Sequence, residues 1–228
     1  MTETEGDSSP GSNRRHSVPE AAVTVEDPRL RAELEAQNGL RQFDLGMHVV
    51  EDALSREQPF KLRPSTILSL HREALRDLSA LAGNWRPAGV KIEGSQHEPV
   101  GAHQVPELIE DLCDYINERW GSASPVHLAA YIMSRLNWIH PFTDGNGRTS
   151  RILSYVVLCI ALGSLLRGKN TIPDQIVNNR SPYFDALEEA DRNWKADRVD
   201  LGKMEELLEG MLAVQLKSMM EQATNKTY

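Results

Sequence analysis

From residue 28 onward the apolar positions of this chain recur at helical spacing. Leu30, Leu34, Leu40, Phe43, Leu45, Val49, Val50 and Leu54 predict a helix or two. Pro64-Ser65 opens another, which the pattern carries through Leu81 with Ser65 as cap. Its apolar set is Ile67, Leu68, Leu70, Leu75, Leu78 and Leu81. Residues 84–102 break the period. Within them Val90-Lys91-Ile92-Glu93-Gly94 alternates apolar with charged and then meets a turn residue, which predicts one arm of a short exposed hairpin. Helices resume over 106–120 and 125–139, each opened by a proline; in the second, Leu128, Ile132, Leu136 and Ile139 share a face. A polar loop covers 140–147. The stretch 148–162 is apolar nearly all round (Ile152, Leu153, Tyr155, Val156, Val157, Leu158, Ile160), the mark of a central, buried helix. Pro173-Asp174, Ser181-Pro182 and Leu201 start three more, the last running to about residue 222. The expected fold class is all-α with one short β-hairpin.

Residues 1–27 lack this periodicity and are rich in Glu, Thr, Ser, Gly and Pro, so they are expected to form a disordered tail. The whole chain has 228 residues, with 25 Lys+Arg against 33 Asp+Glu and a net charge of −8. That length supports a core without metal or disulfide staples. The negative balance disfavours a nucleic-acid partner, which needs a basic face, but leaves room for a local basic pocket. Cys113 and Cys159 form no CxxC pair and lie in apolar helical patterns, where they are expected to be small buried hydrophobes. No run of 18 apolar residues occurs, so no membrane partner is expected. The opening Met1-Thr-Glu-Thr-Glu-Gly is acidic, unlike a Sec-type signal, and the expected location is the cytoplasm. The last helix carries enough apolar residues (Leu207, Leu208, Met211, Leu212, Val214, Leu216) either to cover the core or to support a homo-oligomer.

The chemistry concentrates in His140-Pro141-Phe142-Thr143-Asp144-Gly145-Asn146-Gly147-Arg148-Thr149-Ser150-Arg151. Gly-Asn-Gly before an apolar helix makes a tight turn that lets backbone approach a ligand. The N–H groups opening that helix, with the positive end of its dipole, make an anion site. Arg148 and Arg151, three apart, share a face there, although cations at a helix N-terminus oppose the dipole. Two arginines with backbone donors suit a di- or triphosphate. Asp144 at the rim is the hard oxygen ligand that Mg²⁺ prefers. His140, at the end of the preceding helix, is a candidate general base for a hydroxyl nucleophile. Phe142, in an otherwise polar loop, is expected to anchor it in the core. Neither a Walker A loop nor a dinucleotide fingerprint fits this spacing. Taken singly, each residue has a bland use as cap, turn or solvated face. Seven specified residues at this spacing recur by chance at roughly 10⁻⁹ per start position.

The loop resembles the signature of the Fic family, His-Pro-Phe-x-Asp-Gly-Asn-Gly-Arg-x-x-Arg, with Thr143 as the first x. The resemblance covers about residues 60–200 and extends to the helix before the motif, the buried helix after it and a hairpin upstream. It implies a Fic-like helical domain over 28–228, with flanking helices, and the adenylyltransferase branch: transfer of AMP from ATP to a Ser, Thr or Tyr hydroxyl of a target protein. It further implies that His140 deprotonates the hydroxyl and that Asp144 holds Mg²⁺. Gly145, Asn146 and Gly147 would form the nest for the α-phosphate, while Arg148 and Arg151 would take the β- and γ-phosphates. The segment Val90–Glu93 would be the flap that clamps the target by adding a strand. A carboxylate at 144 and Arg rather than Lys at 148 favour adenylylation over the other transfers of the family. A Fic-fold enzyme using another nucleotide or removing AMP, and a non-catalytic helical module, are the competing readings. Many relatives carry an inhibitory (Ser/Thr)-x-x-x-Glu-(Gly/Asn) helix. Two stretches here come near it, Glu205-x-x-x-Glu209-Gly210 and Glu33-x-x-x-Gln37-Asn38, and Glu209 is the candidate inhibitory glutamate.

Overall fold

The computed structural model describes residues 25–225 and the backbone of residues 16 and 17. The expected tail at 1–27 therefore lies largely outside the described residues. Helix α1 spans Pro28–Ser55 without interruption; Asp27 caps it, its Oδ1 accepting the Arg29 N–H at 2.9 Å. Helix α2 is Pro64–Ala74, α3 Val105–Glu118, α4 Pro125–Ile139 and α5 Asn146–Ala161. Helices α6, α7 and α8 are Ile172–Asn178, Ser181–Lys195 and Gly202–Asn225. Prolines open several of them because the missing N–H would have no intrahelical acceptor there. Among the described residues no helix is long and apolar enough to cross a membrane.

Helix α5 is the central rod. Every side chain from Ile152 to Ile160 is buried, and α1, α2, α4 and α6 surround it. An apolar circumference needs neighbours on all sides, and this is how the sequence obtains them. Helix α8 closes the far face against α4, α6 and α7, burying Met204 and Leu208. Its one fully buried polar residue, Gln215, is satisfied on both ends. The amide donates to Tyr155 Oη at 2.6 Å and to the Leu166 carbonyl at 3.1 Å, and its oxygen accepts the Ile172 N–H at 3.1 Å. Cys113 and Cys159 are both buried and unbridged, as expected.

Two expectations need correction. The helix opened by Pro64 stops at Ala74, not at Leu81, and its N-cap is Arg63, with no side-chain bond from the cap. Beyond it the chain continues as tight turns: the Leu78 N–H meets the Leu75 carbonyl, Ala82 meets Ser79 and Asn84 meets Leu81, with Asp77 at φ 59°. A three-residue apolar spacing serves successive turns as well as a helix. Leu75 and Leu78 accordingly remain buried, in a small cluster with Ala74 that Val25, Leu34 and Ala82 flank. The second correction concerns the hairpin. Strand β2 is only Ile92–Glu93, and its partner is not the following arm but strand β1, His16–Ser17, paired antiparallel with His16 opposite Glu93. Local alternation marks a strand but carries no information about a partner some 75 residues away.

Candidate active site

Helix α4 ends at Ile139, and His140 follows in the left-handed region (φ 53°, ψ 58°), its N–H still bonded to the Leu136 carbonyl at 2.9 Å. That conformation is costly for a residue with a Cβ and turns the chain sharply into the loop. The His140 side chain is 5% exposed, and Nδ1 lies 3.2 Å from the Asn137 carbonyl. A carbonyl only accepts, so Nδ1 carries the proton and Nε2 is the basic nitrogen of the neutral ring.

Phe142 pins the middle of the loop, as expected. It is fully buried, stacked on the His71 ring at 3.6 Å and on Trp85 at 5.1 Å. His71 does more than stack. Its Nδ1 accepts the Gly83 N–H at 2.9 Å, so Nε2 holds the hydrogen and donates to the Asp144 carbonyl at 3.0 Å. Burial, above all, lowers the His71 pKa from 6.5 to about 4; the bond to Asp144 opposes this and the Arg148 charge adds to it. A histidine held neutral in the fold takes up a proton more readily when unfolded. Its contribution is thus complete above pH 6.5 and is lost as pH falls through about 4. Thermal denaturation from pH 7 to 4 should show wild type losing more Tm than His71→Leu over this window. Parallel curves for the two would refute that assignment.

Gly145 adopts φ 79° and caps α5; a Cβ there would lie 2.5 Å from Leu75 Cδ2 and 3.2 Å from His71 Cδ2. Helix α5 then begins at Asn146, so the N–H groups of Gly147 and Arg148 have no acceptor within the helix. The Asn146 side chain, buried, grips the Phe142 peptide from both sides: Oδ1 accepts its N–H at 2.9 Å and Nδ2 donates to its carbonyl at 2.8 Å. Asn146 thus braces the loop from within. At Gly147 the side-chain position faces Arg151 Nη1 at 3.1 Å, so the missing Cβ leaves space beside that guanidinium.

The charged groups fall into two sets. Asp144 Oδ1 accepts the Gly145 N–H at 2.6 Å, while Oδ2 meets Arg148 at 3.0 Å and Arg31 of α1 at 3.6 Å. Glu35 of α1 stands 4.0 Å from Arg148 and also bonds Arg31 at 3.1 Å. The second set is centred on Arg151. Burial, first, lowers its pKa; Arg180 and Arg148 act in the same direction, and Tyr183 opposes with a hydrogen bond. Among the described residues no carboxylate is paired with Arg151. The motif thus places His140, Asp144, Gly145, Asn146, Gly147, Arg148 and Arg151 around one helix start. Val90 and Lys91 of the expected flap lie outside strand β2, which keeps only Ile92 and Glu93. Glu209 is exposed on α8, and among the described residues it is ion-paired with neither arginine. The acid that approaches the motif is Glu35.

Sequence reasoning did not single out His71, Tyr183, Arg180, Arg31 or Glu35. Their spacing along the chain carries no signal, because tertiary packing of α1, α2 and α7 brings them to α5.

Comparison with known proteins bears on this geometry. Residues 61–158 match the model of the Fic/DOC family. Over that stretch the chain is similar to Fic/DOC domains. The chain is 33% identical over 127 residues to the protein adenylyltransferase Fic of Drosophila willistoni, covering 55% of this chain and 25% of that protein. It is 30% identical over 118 residues to protein adenylyltransferase fic-1 of Caenorhabditis briggsae, covering 51% and 23%. The chain thus spans about a quarter of the length of these curated relatives. Among solved structures, Fic-1 of C. elegans superposes with a TM-score of 0.64 at 22% identity, over 88% of this chain and 55% of that one. A Fic domain containing signaling protein from Bacteroides thetaiotaomicron superposes at 0.62 and 20% identity, over 82% and 71%. BepC of Bartonella tribocorum, solved with AMPPNP, does so at 0.58 and 16%, over 82% and 88%. At these identities the likeness shows the Fic fold, which the helices around α5 reproduce.

Proposed function

We propose that this Fic domain is a protein adenylyltransferase that moves AMP from ATP to a hydroxyl side chain of a target protein. The observation that carries this reading is Arg151: a half-buried guanidinium with no carboxylate paired to it among the described residues, at the N-terminus of α5 beside Arg148 and Arg180. A partly desolvated charge without a counter-ion is costly, and a phosphate anion relieves the cost. The names of the curated relatives, and the AMPPNP and ADP bound by Bartonella neighbours of the same fold, point to ATP.

In this reading the target hydroxyl loses its proton to His140 Nε2 as its oxygen bonds the α-phosphorus. The bond from that phosphorus to the β-bridging oxygen breaks, and pyrophosphate leaves. The Gly147 and Arg148 N–H groups steady the α-phosphate, while Arg148 and Arg151 hold the two beyond it. Asp144 offers a single hard carboxylate at the rim of α5, which suits a cation that takes most of its ligands from phosphate and water. Asp144 fits Mg²⁺ on that basis. The ion, when bound, would offset phosphate charge. Strand β2 is the edge on which a target segment would lie. The free, buried cysteines suit a reducing cytoplasm.

Incubation with α-labelled ATP should leave label on protein, and γ-labelled ATP should not. Label from the γ position alone would replace this reading with phosphoryl transfer. The pairing of Arg31 with Asp144 yields a second expectation: beside Arg148, the Arg31 charge competes with a cation for that carboxylate. Arg31→Ala should tighten Mg·ATP binding by about 2–5-fold, the worth of a partly exposed ion pair. Titration calorimetry measures it, and weaker binding would instead make Arg31 a phosphate ligand.

A further inference from the structure

Arg86 is 2% exposed, and among the described residues no carboxylate is paired with it. Every contact of its guanidinium is a backbone carbonyl. Nε donates to His140 O at 2.8 Å and Nη1 to Ala88 O at 2.9 Å, while Nη2 donates to Val100 O and, at 3.5 Å, to Ile139 O. Its own N–H reaches Pro141 O at 2.9 Å. His97, from the same segment, donates Nε2–H to Trp138 O at 2.7 Å. The consecutive carbonyls 138, 139, 140 and 141 are thus each held by a donor from residues 86–97.

Two physical facts make this arrangement specific. A helix ends with carbonyls that lack intrahelical donors and carry the negative end of the dipole, which a cation satisfies. A buried guanidinium is nevertheless a costly cap, since a lysine at the surface or a glycine turn would serve. The fork does something these cannot. Ala88 and Val100 flank strand β2, and the same planar group that grips them also grips the peptide of His140, whose left-handed backbone needs an external restraint.

We propose that Arg86 is a positioning residue that locks the flap segment 88–100 and the His140 peptide into one unit, so that a hydroxyl presented on β2 arrives in register with Nε2. The inference rests on the adenylyltransferase reading and adds a residue outside the motif to it. Arg86 touches neither Asp144, Arg148 nor Arg151 in any hydrogen bond or ion pair. Its loss should therefore spare nucleotide binding and impair transfer.

The test uses Arg86→Lys, which keeps the charge but not the fork, and Arg86→Met, with folding followed by circular dichroism. For both, calorimetric Kd for Mg·ATP should stay within about twofold of wild type, while kcat for transfer of the α-label to protein falls by about 10–100-fold. The Met variant should be the worse. Amide hydrogen exchange should rise together in 88–100 and 138–142 and remain unchanged in the interior of α5. A folded Lys or Met variant with wild-type kcat would overturn the proposal, as would a fall in kcat matched by equal loss of ATP affinity. If the Met variant does not fold, the Lys variant alone decides. If wild type transfers no α-label at all, the adenylyltransferase reading fails. Coupled exchange in the two segments then decides for or against the bridge by itself.

Discussion

Replacing His140 by alanine should reduce transfer of the α-label to protein by about 10²–10⁴-fold, the usual worth of a positioned general base. The affinity for Mg·ATP should change by no more than about twofold, because in the proposed reading the phosphates are held at the start of α5 and not by the His140 ring. The geometry makes the expectation specific. Nδ1 is held on the Asn137 carbonyl, so the ring can take the proton of the nucleophile only at Nε2, and glutamine cannot reproduce both functions with one amide. His140→Gln should therefore be as inactive as His140→Ala. Radiolabel incorporation beside calorimetry separates the steps. Equal losses of transfer and of ATP binding would make His140 a structural cap, and the base would have to be sought elsewhere.

The parts of this site that act through local sequence were legible before the structure. A loop of glycines, an acid and two arginines ahead of an apolar rod points to the candidate anion site, and α5 takes its expected place at the centre of the bundle. The parts that act through packing were not. His71 and Arg86 look like ordinary polar residues of a helix and a loop, yet they fix the carbonyls of Asp144 and His140. Helix α1 reads as a moderately amphipathic rod whose Gln37-Asn38 pair draws attention. Asn38 in fact turns inward to the Arg76 carbonyl, and it is Arg31 and Glu35 that face the motif. The end of α2 failed for a related reason, because an i, i+3 apolar spacing suits a run of turns as well as a helix. The partner of β2 could not be read at all, since strand pairing at long range depends on the path of the whole chain.

Gly145→Ala should be the most damaging single-methyl change in the domain. The added Cβ would lie 2.5 Å from Leu75 Cδ2 and close to the His71 ring, and alanine would have to adopt φ 79°. The left-handed backbone costs about 1–2 kcal/mol. The overlap with a well-packed leucine adds about 1–3 kcal/mol. A loss of roughly 2–5 kcal/mol is a large part of the stability of a domain. Chemical denaturation would show it as a lower midpoint at an unchanged slope. Activity should suffer beyond stability. Relief of the clash moves the loop away from α2, and with it the Asp144 carbonyl that His71 holds and the first N–H groups of α5. A displacement of that kind costs about 10²-fold in rate even in the fraction that stays folded. Leu75→Ala combined with Gly145→Ala supplies a control, since removing the leucine methyls relieves the overlap but not the strained φ. The double variant should regain part of the transfer rate at a temperature where both are folded. No recovery would mean that the backbone conformation of Gly145, and not the space around it, governs the site.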